Sequence, residues 1–200
     1  TWHLAAAEDV RGMLELTGGN ILRLMNSMNK KLELDEKIFT KSLGLITKAL
    51  EGNQHLTRDE LVEILNFNGI KTNEYRSLHI LAHAELHGIV CSGKRKGKHH
   101  SYALMDERVK KSTQFTKEEA LAELADRYFT SHGPATLKDF NWWSGLSMND
   151  CRVAIELNRR KLLADECDDQ TYYWKDGNYP EVSDSFLMLP AFDEFLIAYK

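Results

Sequence analysis

"TNEYRSLHILAHAELHGIVCSGKRKGKHHSYAL", Thr72–Leu104, decides how the chain is read. Its first half carries apolar residues at helical spacing and stops at Gly88, which predicts a helix with Asn73 as N-cap. Its second half holds two strand-like runs, "IVCSG" and "HHSYAL", joined by a loop, the pattern of a β-hairpin. That loop carries Lys94, Arg95, Lys96 and Lys98, followed by His99 and His100, around Gly93 and Gly97.

Working outward, two more helices precede this stretch. Ile38, Leu45, Ile46, Ala49 and Leu50 give one helix over residues 35–50, closed at Gly52. "TRDELVEILNFNG" gives the next, with Thr57 and Glu60 as a capping box and Gly69 as the stop. Three helices and then a hairpin is the element order of a winged helix; a plain helix-turn-helix leaves the hairpin without an explanation. The order recurs downstream. "TKEEALAELADRYFTSHG" opens with the capping box Thr116 and Glu119, "TLKDFNWWSG" is capped by Thr136 and Asp139, and "SMNDCRVAIELN" starts at Ser147. "KLLADECDDQTYYWK" then supplies two strands around an acidic loop.

The N-terminus repeats part of the pattern. "TWHLAAAEDVRG" parallels "SYALMDERVKK" at 101–111, Trp2 matching Tyr102 and Leu4 matching Leu104. The expected fold class is therefore mainly α with small β-hairpins (α+β), in tandem winged-helix modules. Residues 1–34 read as the tail of a preceding module, 35–112 as a winged helix with a basic wing, and 113–178 as one with an acidic wing. Residues 179–200, with the strand-like "SFLMLPAFDEFLIAYK", read as the start of a C-terminal β-rich domain. On this reading the sequence is an internal fragment.

Composition sets the class of protein. With 42% hydrophobic and 28% charged residues, the chain has the make-up of a soluble globular protein. No apolar run approaches the ~18 residues of a membrane span, and "TWHLAAAEDV" is no signal peptide. The expected compartment is the cytoplasm. Cys91, Cys151 and Cys167 are odd in number and form no C-x-x-C pair, so three reduced thiols are expected rather than a disulfide framework or thiolate zinc site.

The net charge is -4, but its distribution is polarised. Cations dominate residues 94–111, whereas Asp165, Glu166, Asp168, Asp169, Asp176, Glu181 and Asp184 face Lys175 alone. Lys94, Arg95, Lys96 and Lys98 on a projecting wing suit phosphate contacts, which position a protein without reading sequence. In the preceding helix, Tyr75, Leu78, Ala82 and Leu86 form the expected apolar stripe. Arg76, His79, His83 and His87 form a polar side that would line a DNA groove, and His99 and His100 extend the wing. A rival reading makes His79, His83 and His87 metal ligands; without an HExxH glutamate or a nearby Cys, exposed histidines are favoured. Trp142 and Trp143 suit base stacking or packing, with packing favoured; Asp139 reads as a helix cap. The acidic loop would repel phosphate, and Asp193 and Glu194 read as structural.

"TWHLAAAEDVRGMLEL", "AELHGIVCSGKRKGKHHSYALMDERV", "RYFTSHGPATLKDFNWWSGLS" and "MLPAFDEFLIAY" together resemble the AlkZ/YcaQ-type winged-helix family of bacterial DNA glycosylases. The resemblance covers nearly the whole chain in four separated stretches. It implies tandem winged helices, a C-terminal β-rich domain, double-stranded DNA as partner, no cofactor, and a parent that excises alkylated or crosslinked bases. It also implies a catalytic Gln-x-Gln motif upstream of the "TWH" strand. Gln54, Gln114 and Gln170 stand alone here, so no catalytic residue is expected within this sequence. A winged-helix regulator and a protein-interaction scaffold remain as alternatives.

Overall fold

The computed structural model describes residues 6–7, 9–73, 75–109, 116–177, 188–189 and 193–200. The chain is mainly helical, with two small antiparallel sheets, and divides into two compact units.

The first unit begins with α1 (Val10–Lys31). It continues through α2 (Glu36–Leu50), β1 (Leu56–Thr57), α3 (Arg58–Phe67), α4 (Arg76–Leu86), β2 (Val90–Ser92) and β3 (Ser101–Leu104), and ends with the short α5 (Met105–Arg108). Each start has a local cause. Asp35 accepts the Ile38 N–H at 2.8 Å, capping α2. Thr57 and Glu60 form the expected capping box of α3. α4 differs from expectation: it starts after Tyr75, which makes no side-chain cap, rather than after Asn73.

β3 lies between β1 and β2 and pairs antiparallel with both, with Leu56 opposite Tyr102 and Val90 opposite Leu104. Ile46, Leu50, Leu61, Leu65, Ile80, Leu81 and Val90 are almost fully buried and form the core between helices and sheet. α1 packs on α4 so closely that a Cβ on Gly18 would stand 3.0 Å from the Leu86 carbonyl oxygen. The strand expected at the extreme N-terminus lies outside the described residues.

The second unit repeats the element order: α6 (Lys117–Ser131), β4 (Ala135–Thr136), α7 (Leu137–Ser144), α8 (Met148–Leu157), β5 (Leu162–Cys167) and β6 (Gln170–Lys175). Its sheet has the same arrangement, with β6 between β4 and β5. Capping boxes at Thr116–Glu119 and Thr136–Asp139, and a Ser147 cap on α8, match the sequence reading. Tyr128, Phe129 and Phe140 are fully buried, with ring centroids 5.1 to 5.4 Å apart, and centre the core. Among the described part of "SFLMLPAFDEFLIAYK", Glu194–Ile197 form a short helix, α9, rather than a strand.

Candidate nucleic-acid interface

The basic loop is a hairpin tip built on β2 and β3. The Gly93 N–H donates to the Ser101 carbonyl at 2.7 Å, and Lys96 and His99 exchange backbone hydrogen bonds at 3.1 and 3.0 Å. That closes a tight turn over Gly97 and Lys98, and Gly97 takes the positive φ of +59° that the turn needs.

Two residues distant in sequence fix the base of this loop. The Lys94 N–H donates to His55 Nδ1 at 2.9 Å, just ahead of β1. The Lys96 ammonium lies 2.8 and 2.9 Å from the two Glu60 carboxylate oxygens. Gly93 is wedged into the same corner: a Cβ there would fall 2.5 Å from Ser101 Oγ and 2.6 Å from His55 Nδ1. Burial, then the charges of Arg108, Lys94 and Lys96, hold the His55 imidazole below its ordinary range. Neutral His55 is what accepting from Lys94 requires. Glu60 is held down to about 2, first by the Lys96 hydrogen bond and then by the Thr57 N–H.

The four wing cations therefore differ. Lys96 is engaged by Glu60, while Lys94, Arg95 and Lys98 are exposed and have no carboxylate partner among the described residues. Arg95 Nη2 stands 3.5 Å from His100 Nε2, so His100 lies beside the cations, and His99 is exposed at the turn. Sequence reasoning missed His55 and saw Glu60 only as a helix cap; they sit 39 and 36 residues from their wing partners, and those contacts carry no local signal.

α4 presents a different face from the expected one. Its buried residues are Ser77, Ile80, Leu81 and Ala84, whereas Tyr75 is 65% and Leu78 47% exposed. The Arg76 guanidinium donates to the backbone carbonyls of Lys71, Leu32 and Glu33. His79 Nδ1 lies 2.6 Å from Oδ1 of the buried Asn29 on α1. The His83 ring stacks on Phe39 of α2, centroids 3.9 Å apart, and burial lowers its basicity. Arg76, His79 and His83 thus tie α4 to its neighbours and are not grouped with the wing. His83 and the exposed His87 line a cavity of about 390 Å³ beside α1 and α2. Among the described residues, no cluster of three His, Cys, Asp or Glu could hold a metal ion.

In the second unit, Asp139 accepts from the Thr136 N–H and hydroxyl and from the Lys200 N–H, a capping and tethering role. Trp143 donates to Glu194 at 2.8 Å and packs 4.9 Å from the Tyr128 ring; Trp142 donates to the Ile197 carbonyl. The β5–β6 turn, with Asp168 and Asp169 at positive φ, leaves Asp165, Glu166, Asp168 and Asp169 exposed. The three cysteines are free.

The chain thus has two helical units, each carrying a three-stranded sheet, with a basic hairpin on the first. The family described as "DNA glycosylase AlkZ-like" matches residues 1–200, and the chain belongs to that family. Its structure is similar to that of Streptomyces sahachiroi DNA glycosylase AlkZ, with a TM-score of 0.65 and 19% sequence identity. The match covers 84% of this chain and 48% of that one, so the chain spans about half the length of that relative. Among curated proteins, none matches. No helix among the described residues is long and apolar enough to cross a membrane.

Proposed function

We propose that this chain holds duplex DNA for a base-excision reaction of the AlkZ-like kind, with the first unit acting as a winged helix. The observation that carries this reading is the braced basic hairpin. Lys94, Arg95 and Lys98 project from a turn whose base is pinned by His55 and Glu60, so three cations meet a phosphate backbone with little ordering cost. Lys96 joins them when it exchanges Glu60 for phosphate, because a solvent-screened ion pair contributes little. His99 and His100 add hydrogen-bond donors at the same tip. The tip is chemically suited to backbone contact and not to base excision itself: its groups are cations, and the one carboxylate described beside them, Glu60, is held by Lys96 and the Thr57 N–H.

The test is titration of a short labelled duplex with the chain and with the variant Lys94→Gln/Arg95→Gln/Lys98→Gln. The variant is expected to lose at least tenfold in affinity at low salt with its thermal midpoint unchanged. Equal affinity for both proteins contradicts the wing's role.

The scaffold reading has one observation of its own. Phe67 is 92% exposed at the end of α3, Tyr75 is exposed just ahead of α4 and Leu78 on it, apolar side chains suited to a protein partner. A chain that binds no duplex at low salt would favour it.

A further inference from the structure

Lys96 differs from the other wing cations in having a resident anion. Its ammonium donates to both oxygens of the Glu60 carboxylate, at 2.8 and 2.9 Å, much as it would to two oxygens of a phosphate. Glu60 is itself fixed. The Thr57 N–H donates to its Oε2 at 2.6 Å, and the Glu60 N–H donates back to Thr57 Oγ1 at 3.3 Å, so the capping box of α3 holds the carboxylate in place. The backbone of Lys96 is fixed too, by the pair of hydrogen bonds with His99 that closes the turn. Both side chains are 42% exposed, which leaves the pair within reach of an incoming anion. Lys94, Arg95 and Lys98 are exposed with no carboxylate partner among the described residues.

A carboxylate held beside its cation competes at an effective concentration that a dilute free anion does not reach. A phosphate on a duplex already gripped by Lys94, Arg95 and Lys98 is tethered as well, and it meets Glu60 on comparable terms. The exchange then costs little, because solvent screens the pair that is broken.

We propose that Glu60 is an internal competitor for Lys96, one that withholds this cation from single anions and yields it to a phosphate backbone the other three cations already hold. This rests on the duplex-binding reading above and adds to it a residue that determines specificity. Glu60 lowers the affinity of the tip for any phosphate, and most for an isolated one.

The experiment is a double-mutant cycle with the unaltered chain, Glu60→Gln, Lys96→Gln and Glu60→Gln/Lys96→Gln. Each is titrated at low salt with the labelled duplex and, at constant ionic strength, with inorganic phosphate, read by NMR at the Lys96 amide. Glutamine keeps the capping box, since its amide oxygen still accepts the Thr57 N–H, so thermal midpoints should stay close. Glu60→Gln is expected to bind the duplex roughly threefold to fivefold more tightly, and the gain should vanish when Lys96 is also replaced. Inorganic phosphate should shift the Lys96 signal in Glu60→Gln and leave it in place in the unaltered chain. Equal or weaker duplex binding by Glu60→Gln, or a gain that persists without Lys96, overturns the proposal while duplex binding stands; Glu60 is then a brace or a bare charge. Equal phosphate shifts in both proteins overturn the selectivity. A chain that does not bind the duplex at all removes the reading on which the proposal rests.

Discussion

At the residue scale, His55 is the side chain on which the basic hairpin depends most directly. Its Nδ1 accepts the Lys94 N–H only while the imidazole is neutral, and burial with three nearby cations favours that neutral form. The sign follows from linkage: a histidine whose basicity is depressed on folding stabilises the fold above its unfolded pKa of about 6.5, and that contribution is lost as pH falls through the folded value. The Lys94 amide should therefore keep its exchange protection, corrected for the intrinsic pH dependence of exchange, at pH 7 and lose it progressively below about 6.5. In His55→Ala the protection should be low throughout. The Glu60–Lys96 contact has the same sign: the Glu60 carboxyl is depressed, so the contact is lost only as pH falls to about 2, where Glu60 protonates. This scale was the least legible in the sequence. Arg76, His79 and His83 share a side of α4, but helical spacing shows only that residues share a side, not which side meets a neighbour. With Ile80, Leu81 and Ala84 also apolar, a second line of residues was available for burial, and packing against α1 and α2 chose it.

At the element scale, legibility was high wherever chemistry is local. The boxes at Thr57–Glu60, Thr116–Glu119 and Thr136–Asp139 appear as the sequence indicated, because a hydroxyl and a carboxylate three residues apart satisfy each other's backbone partners without outside help. β1 and β4 were not legible. Each has two residues and ends on the threonine that caps the next helix, so no alternation can build up. The N-cap needs β-region dihedrals in any case, and the central strand beside it turns that requirement into pairing. Thr57 thereby joins three features: the cap of α3, strand β1 and, through Glu60, the Lys96 contact. Thr57→Ala should cost about 0.5–2 kcal/mol by chemical denaturation. It should also raise the Glu60 carboxyl toward its ordinary range, since one of the hydrogen bonds that depress it is lost. A cost near zero would show that strand pairing alone holds the start of α3.

At the scale of the whole molecule, the recurrence of one element order was legible because both copies carry the same punctuation, capped helix starts and glycine stops, around different surfaces. The surfaces diverge in charge. One hairpin tip holds Lys94, Arg95, Lys96 and Lys98; the other holds Asp165, Glu166, Asp168 and Asp169. The fold sets where a tip or a helix strip projects, and the side chains placed there set what it meets. The chain belongs to the AlkZ-like DNA glycosylase family and shares a fold with a Streptomyces glycosylase at 19% identity; the role we propose is that its basic hairpin faces DNA.

That claim is tested most directly by the salt dependence of duplex affinity for the unaltered chain. Three wing cations predict a log-log slope of about -2.7, and Lys96, on leaving Glu60 for phosphate, takes it to about -3.6. A flat dependence, or no binding at the lowest salt, would contradict the account.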